Sequence, residues 1–138
     1  MASRLNPYLS FSNNARAAMD FYKNVFGGEL TVSTFGEGNM ARDPSEKDKV
    51  MHSQLVVSNG YWLMASDTPA SMGQPRPNGT VSLSGDDEAA LKGYWDKLSA
   101  GATITMPLEK APWGDSFGML TDKFGITWLV NISGAAAA

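Results

Sequence analysis

The stretch that decides the fold is YLSFSNNARAAMDFYKNVF, from Tyr8 to Phe26. Its alternating apolar residues, polar capping residues and later three- and four-residue apolar spacing predict a strand, a turn and an amphipathic helix. The pattern returns as SLSGDDEAALKGYWDKL at Ser82–Leu98. The copies align without gaps, with Ser10 on Ser82 and Phe26 on Leu98, both 72 positions apart (82 − 10 and 98 − 26). Because this period exceeds the roughly 20–50 residues of solenoid repeats, it indicates a duplicated module.

Three further strand-like segments follow each predicted helix. They are Glu29–Phe35, Val50–Ser58 and Tyr61–Ser66 in the first half, and Thr103–Leu108, Phe117–Thr121 and Ile126–Ile132 in the second. Helices that cover one face of a mostly antiparallel sheet make an α+β fold. The sequence therefore predicts two tandem βαβββ modules, residues 1–67 and 80–138, joined by a proline- and glycine-rich linker at 68–79.

Short polar motifs predict where helices begin and where strands turn. Ser12–Asn14 are expected to cap the first helix, and Asp86 the second. Asn59-Gly60 between apolar runs predicts a two-residue hairpin turn. DKFG at Asp122–Gly125 predicts the last hairpin turn.

Composition narrows the class of protein. The 138 residues include no Cys, so no disulfide, thiolate nucleophile or Cys-based metal site is available. The formal net charge of −3, with no cluster of Lys and Arg, argues against a nucleic-acid partner. No apolar run approaches the roughly 18 residues of a membrane span, and the N-terminus lacks a signal-peptide pattern. We therefore expect a cytoplasmic protein without membrane partners.

Four segments resemble the vicinal oxygen chelate superfamily of glyoxalases, extradiol dioxygenases and bleomycin resistance proteins, and most closely its PhnB-like branch. They are PYLSF at Pro7–Phe11, FGGEL at Phe26–Leu30, KVMHSQLVV at Lys49–Val57 and PWGDSFGMLTDKFGITWLVNI at Pro112–Ile132. The resemblance implies two βαβββ modules whose mixed sheets curl into an open cup, usually in a homodimer. It does not imply one activity, because a fold of this kind hosts many functions.

The resemblance also implies where a divalent metal would bind. In metal-dependent members, His, Glu or Gln side chains on the first and last strand of each module hold the ion. Those positions correspond here to Tyr8, Met64, Thr80 and Leu129. None is a good ligand, since divalent metals prefer imidazole, carboxylate or thiolate donors. We therefore expect no metal ion at the usual site, and we predict no cofactor.

His52 is the only histidine and lies on the predicted strand VMHSQL. It is a candidate general base, because an unperturbed imidazole titrates near neutrality. The alternative is a strand histidine that is bonded to a backbone carbonyl or exposed at the sheet edge, and we favour that alternative. If a metal bound after all, His52 and Asp67 would be the expected donors, since a two-residue hairpin would place them opposite each other.

Two groups of residues are candidate ligand contacts. A polar stripe from the two first strands is suited to orient a small polar ligand; it comprises Tyr8, Ser10, Thr80, Ser82 and Ser84. The alternative is the solvent-facing side of an ordinary antiparallel sheet. An aromatic and thioether group is suited to clamp a flat ligand, or else to form the core or a dimer contact; it comprises Trp62, Met64, Trp113, Phe117 and Trp128.

These observations leave three hypotheses about function. The preferred one is a metal-free, PhnB-like homodimer that binds a small organic ligand in its cup through Tyr8, Ser10, Met64, Thr80, Ser82, Trp113, Phe117 and Leu129. The second is a divalent-metal-dependent enzyme of the glyoxalase or dioxygenase type that uses His52. The third is a structural dimer with no ligand. Whether the protein is an enzyme is left open.

Overall fold

The computed structural model describes residues 5–38, 41, 43–75 and 77–134. The chain divides into two compact units, Met1–Asn78 (unit 1) and Gly79–Ala138 (unit 2). The division falls at the end of the predicted linker 68–79, of which residue 76 lies outside the described part of the chain.

Unit 1 contains one helix and a four-stranded mixed sheet. Its elements are β1 (Tyr8–Phe11), α1 (Ala15–Phe26), β2 (Glu29–Thr34), β3 (Val50–Val56) and β4 (Trp62–Asp67), with short 3-10 turns at Pro44–Glu46 and Ala70–Met72. The strand order is β1-β4-β3-β2, in which β1 runs parallel to β4 and the other pairs are antiparallel.

Unit 2 repeats this topology. Its elements are β5 (Thr80–Gly85), α2 (Glu88–Leu98), β6 (Thr103–Lys110), β7 (Ser116–Thr121) and β8 (Thr127–Ile132). The strand order is β5-β8-β7-β6, again with the first strand parallel to the last. The predicted α+β fold of two βαβββ modules is confirmed, including the equivalence of β1 with β5. Neither described helix is long and apolar enough to cross a membrane.

Helix α1 covers one face of the first sheet. Its buried side chains include Ala18, Met19, Tyr22 and Val25, spaced by one helical turn, and they pack on β2, β3 and β4. Complete burial of Met19 and Tyr22 contributes about 1.5–3 kcal/mol each. The apolar face of α1 therefore decides which side of the sheet becomes core.

The N-cap of α1 lies within the predicted Ser12–Asn14, but a carboxylate from β4 supplies the side-chain acceptor. Asn14 occupies the N-cap position but makes no side-chain cap hydrogen bond. The buried Asp67 instead accepts from Ala15 N and Val50 N, both at 2.9 Å. One carboxylate thus joins the helix to β3 and β4 and satisfies buried N–H donors that would otherwise be costly.

Helix α2 is capped by Asp87, whose Oδ1 accepts from Ala90 N at 3.1 Å, and the prediction of Asp86 was wrong. Asp87 directly precedes the first helical residue, which is the geometry that capping requires. On the buried face, Trp95 reaches β7 at Gly118, where a Cβ atom would lie 2.8 Å from the indole ring. A side chain at this position would force the helix away from the sheet.

The β3–β4 hairpin turns over three residues, 58–60, because Val57 N donates to Tyr61 O at 3.0 Å. The predicted two-residue turn at Asn59-Gly60 was therefore wrong by one residue. The register pairs Gln54 with Met64 and Ser53 with Ala65. Since a one-residue shift moves side chains to the opposite face, His52 and Asp67 do not face each other as expected. Asp67 lies on the α1 side, among the core residues.

The β7–β8 turn is built around the buried Asp122, which confirms the prediction of a turn at DKFG. Its carboxylate accepts from Phe124 N at 2.8 Å, Ile126 N at 3.1 Å and Trp128 Nε1 at 2.9 Å. Trp128 is 1% exposed, so it belongs to the core of unit 2 and is not a ligand contact.

Candidate functional site

The face of the first sheet that α1 leaves uncovered carries the candidate site. On β1, Leu9 and Phe11 are buried, whereas Tyr8 is exposed and Ser10 half-buried. The same alternation on β4 buries Ala65 and turns its neighbours outward. Since successive strand residues point to opposite sides, Tyr8 and Ser10 lie on the side away from α1, which we call the helix-free face of unit 1.

Strand pairing arranges this face in two rows. In one row, Tyr8 pairs with Met64, Met64 with Gln54, and Gln54 with Thr31. In the next row, Ser10 pairs with Ser66, and His52 pairs with Ser33. One further step along the β3–β4 register places His52 beside Ser66. Four predicted site residues are therefore brought together on one face: Tyr8, Ser10, His52 and Met64.

Tyr8 and His52 form the most specific contact of this face. The Tyr8 hydroxyl lies 3.0 Å from His52 Nδ1, and the rings stack with centroids 5.7 Å apart at 30°. Because β4 lies between β1 and β3, the phenol reaches across β4 to the imidazole. Either the hydroxyl donates to Nδ1, or a protonated Nδ1 donates to the hydroxyl. Within the described residues the His52 side chain makes no other hydrogen bond, so this contact fixes the ring while Nε2 keeps its capacity for a ligand.

The donor chemistry of this face does not fit a divalent metal. Where the resemblance places metal ligands in unit 1, the directly paired residues Tyr8 and Met64 offer a phenol and a thioether. Asp67, the expected carboxylate donor, points into the core. Among residues 5–38, 41, 43–75 and 77–134, no three His, Cys, Asp or Glu side chains gather in a way that could hold a metal ion.

The corresponding face of unit 2 has a different character. Ser82 pairs with Leu129, Leu129 with Met119, and Met119 with Met106. The neighbouring row contains only threonines, namely Thr80, Thr127, Thr121 and Thr103. Of the predicted site residues, Thr80, Ser82 and Leu129 thus share this helix-free face. Hydroxyl and aliphatic groups at Thr80 and Leu129 do not fit a divalent metal either.

Trp113 and Phe117 lie at the β6–β7 hairpin of unit 2. Their rings meet edge to face with centroids 6.2 Å apart, and Trp113 is 65% exposed. A cavity of about 250 Å³ opens beside them, and its lining includes Met106, Pro107 and Pro112. An exposed indole beside an open cavity is unusual for a residue that folding normally buries, so this hairpin is a second candidate contact for a flat ligand.

A carboxylate anchors the base of this hairpin. Asp115 accepts from Gly134 N at 2.9 Å and from Asn131 Nδ2 at 3.1 Å. These two hydrogen bonds, the backbone one first, lower the pKa of Asp115 from its ordinary value of 3.8. Ala111 N also donates to Asp115 O, and Gly114 N to Ala111 O, so the segment that carries Trp113 is held from both ends.

Sequence reasoning missed several residues of the two faces. Period-two alternation along β3 and β4 could have identified Gln54 and Ser66. Met119 was missed because only the β7–β8 register shows that it occupies the position equivalent to His52. Asn78, whose side chain bonds to Ser10, was read as part of the linker, and no local pattern indicates a contact 68 residues away.

Comparison with known proteins gives a consistent family. The model of the Glyoxalase/Bleomycin resistance protein/Dioxygenase superfamily matches residues 4–130. The chain is 30% identical over 139 residues to protein YjdN of Escherichia coli, covering 93% of this chain and 94% of that protein. The crystal structure of protein PA1353 from Pseudomonas aeruginosa matches with a TM-score of 0.81 at 35% identity, covering 96% and 99%. The PhnB protein from Bacillus cereus matches with a TM-score of 0.72 at 25% identity, covering 95% and 100%.

Proposed function

The chain belongs to the Glyoxalase/Bleomycin resistance protein/Dioxygenase superfamily, and from that premise we propose that it is a metal-free homodimer that binds a small organic molecule on the helix-free faces of its sheets. The PhnB protein of Bacillus cereus is among its structural neighbours. A cytoplasmic location, and a lack of nucleic-acid and membrane partners, stay predictions of this proposal.

The observation that carries the proposal is the Tyr8–His52 pair. It lies where the resemblance places a metal ligand, and its hydrogen bond of 3.0 Å engages Nδ1 of the chain's only imidazole. The rows around it supply hydroxyl, amide and thioether groups and no carboxylate or amine. Such a surface suits an uncharged organic molecule with a few hydrogen-bonding groups and an apolar or aromatic body.

The Trp113–Phe117 hairpin supports the same ligand class from unit 2. Its cavity of about 250 Å³ lies just below the range of roughly 300–1,000 Å³ for small-molecule sites, so it suits a small ligand. The rim carries Glu109 and Lys110, whose opposite charges give no preference for an ion of either sign. A flat, uncharged group is therefore the expected occupant.

A fragment screen tests the proposal. Chelator-treated wild-type protein is mixed with a library of small aromatic and heteroaromatic fragments, and binding is followed by ligand-observed NMR. We expect hits that persist in chelator and weaken at least about tenfold in His52→Ala, because the variant loses a hydrogen-bonding group and the Tyr8 anchor. Asp96→Ala, on the exposed side of α2, is the control. Thermal stabilisation by Ni²⁺, Mn²⁺ or Zn²⁺ that chelator reverses, and that changes at Tyr8, Thr80 or Leu129 remove, would contradict the proposal.

The homodimer rests on exposed apolar side chains of unit 2. Ile104 and Met106 on β6 are 46% and 48% exposed, and Trp113 follows at the adjacent hairpin. Apolar groups gathered at a sheet edge favour association with a second surface. Sedimentation equilibrium is expected to give twice the chain mass, and Ile104→Glu is expected to shift it toward the monomer. A monomer at all concentrations would remove the homodimer from the proposal.

A second candidate function follows from the same contact. The phenol that holds His52 Nδ1 orients the imidazole, which is the arrangement of a general base with an orienting partner. The chain would then be an enzyme in which His52 removes a proton from the bound molecule. Full turnover by His52→Ala on any substrate found in the screen would count against this candidate and leave the binding function intact.

A further inference from the structure

The side-chain amide of Asn78 closes part of the outer edge of β1. Asn78 Oδ1 accepts from Ser10 N at 2.8 Å, and Asn78 Nδ2 donates to Ser10 O at 3.0 Å. One amide thus satisfies both backbone groups of Ser10, as a neighbouring strand would. We call this pair of hydrogen bonds the Asn78 clasp.

The clasp lies on the edge of the sheet that no strand covers in unit 1. Strand β1 is first in the order β1-β4-β3-β2. Pro7 O accepts from Met64 N of β4, and Phe11 O accepts from Thr68 N, directly after β4. Because alternate residues of a strand direct their peptide groups to opposite sides, those of Ser10 face away from β4. Without the clasp, an unpaired donor and acceptor would be presented for pairing with another chain.

The residue after Asn78 makes the clasp chemically labile. Asn78 is followed by Gly79, and a Cβ at Gly79 would meet nothing within 4 Å. Both residues are exposed. Glycine lacks the side chain that shields a following peptide nitrogen, so this nitrogen can approach the asparagine amide carbon once the amide leaves Ser10.

We propose that Asn78 is a deamidation site whose conversion opens the outer edge of β1. The Gly79 nitrogen loses its proton and attacks Asn78 Cγ, a C–N bond forms, and the Cγ–Nδ2 bond breaks with release of ammonia. Water then opens the succinimide ring to aspartate or isoaspartate. The reaction needs no oxidant, reductant or second enzyme.

The product cannot reform the clasp. A carboxylate has no N–H to donate to Ser10 O, and it places negative charge beside that carbonyl oxygen. Ser10 lies in the same row of the helix-free face as His52, next to the row of Tyr8, so an open edge loosens the strand that carries the Tyr8 side of the candidate site.

Hydrogen exchange at one amide tests the consequence. Exchange of Ser10 N–H is measured by NMR in wild type, Asn78→Asp and Asn59→Asp. Asn59 belongs to the other exposed Asn-Gly pair of the chain and serves as the control. We expect protection of Ser10 N–H to fall on the order of tenfold in Asn78→Asp, because repulsion between the carboxylate and Ser10 O moves the side chain away from both backbone groups, and to persist in Asn59→Asp. Met64 N–H, which bonds to Pro7 O, reports whether the fold persists. Equal Ser10 protection in all three proteins would overturn the proposal.

Peptide mapping by mass spectrometry tests the reaction itself. Wild type and Ser10→Pro are incubated at neutral pH, and conversion at Asn78 and Asn59 is followed in both. Proline at position 10 removes the backbone N–H that donates a hydrogen bond to Asn78. The sheet tolerates this substitution because that N–H faces its outer edge. We expect several-fold faster conversion at Asn78 in Ser10→Pro and no change at Asn59. No conversion at Asn78 in either protein, or equal rates in both, would overturn the proposal.

Discussion

From Ser10 of unit 1, one row of the helix-free face continues through Ser66, His52 and Ser33, whereas from the equivalent Ser82 of unit 2 it continues through Leu129, Met119 and Met106. Both units have the same strand order, and in both the first strand pairs with the last. Burial against the helix fixes the sequence of one face of each sheet and leaves the other face free to change. A duplicated scaffold thereby carries a polar row and a largely apolar row at the same topological positions.

The units also differ in how a buried aspartate stabilises them. Asp67 joins the start of α1 to β3, so in unit 1 the carboxylate connects helix and sheet. Asp122 organises the β7–β8 turn and the Trp128 indole, so in unit 2 the carboxylate connects a turn to the core. Each satisfies buried N–H donors, and neither is available for chemistry on the helix-free faces.

Removal of these aspartates is expected to have the largest effect. Asp67→Ala and Asp122→Ala should each lower the free energy of unfolding by about 3 kcal/mol, because two or three buried N–H groups lose their acceptor. Urea denaturation measures the loss. Asp96→Ala, on the exposed side of α2, is the control. A loss below about 1 kcal/mol at either position would show that these carboxylates do not anchor their units.

Exchange of the central residue of the polar row tests whether the difference between the faces matters for binding. His52→Met gives unit 1 the residue that unit 2 carries at the equivalent position. We expect fragment affinity to fall at least about tenfold, while the free energy of unfolding changes by less than about 1 kcal/mol, since His52 is only half-buried. Titration calorimetry and urea denaturation measure the two quantities. Unchanged affinity would mean that the polar row is not the binding surface.

The reverse exchange tests whether the strand register alone positions a tyrosine–histidine pair. The double variant Thr80→Tyr/Met119→His places a phenol and an imidazole at the unit 2 positions equivalent to Tyr8 and His52. We expect a coupling free energy of about 1 kcal/mol in a double-mutant cycle, similar to that of the native pair, because the register is the same. If the native pair couples and the transplanted pair does not, features outside the shared register position Tyr8.

Acid is expected to have a small effect on the hairpin that carries Trp113. The hydrogen bonds from Gly134 and Asn131 lower the pKa of Asp115, so its contribution is present above the ordinary value of 3.8 and is lost as the pH falls through the lowered value. Trp113 fluorescence should therefore change below about pH 4 in wild type. Asp115→Asn should lack that change. The β3–β4 hairpin of unit 1, held by the neutral Asn59 side chain at Tyr61 N, should stay unaffected.

The sequence predicts the scaffold well and the site only in part, for a physical reason. Apolar periodicity records which residues face the helix, so the strands, the helices and the internal repeat follow from it. Whether a turn has two residues or three is set by hydrogen bonds such as Val57 N to Tyr61 O, and that single residue separated His52 from Asp67. In the same way, a single local hydrogen bond makes Asp87 rather than Asp86 the cap of α2.

Contacts between distant segments were outside the reach of pattern reasoning. The Tyr8–His52 hydrogen bond depends on β4 lying between β1 and β3, which follows from a parallel pairing that no local motif indicates. The Asn78 clasp and the capping of α1 by Asp67 have the same origin. The sequence shows these residues, but it does not show which distant residues they contact.

The most direct test of metal-free binding on the polar face is a calorimetric titration of the strongest fragment hit into wild type and His52→Ala, each in chelator and again after addition of Mn²⁺ or Ni²⁺. The account predicts one affinity for wild type in all conditions, and an affinity at least about tenfold weaker for His52→Ala. Binding by wild type that appears only when metal is restored, or equal affinity in the two proteins, would contradict it.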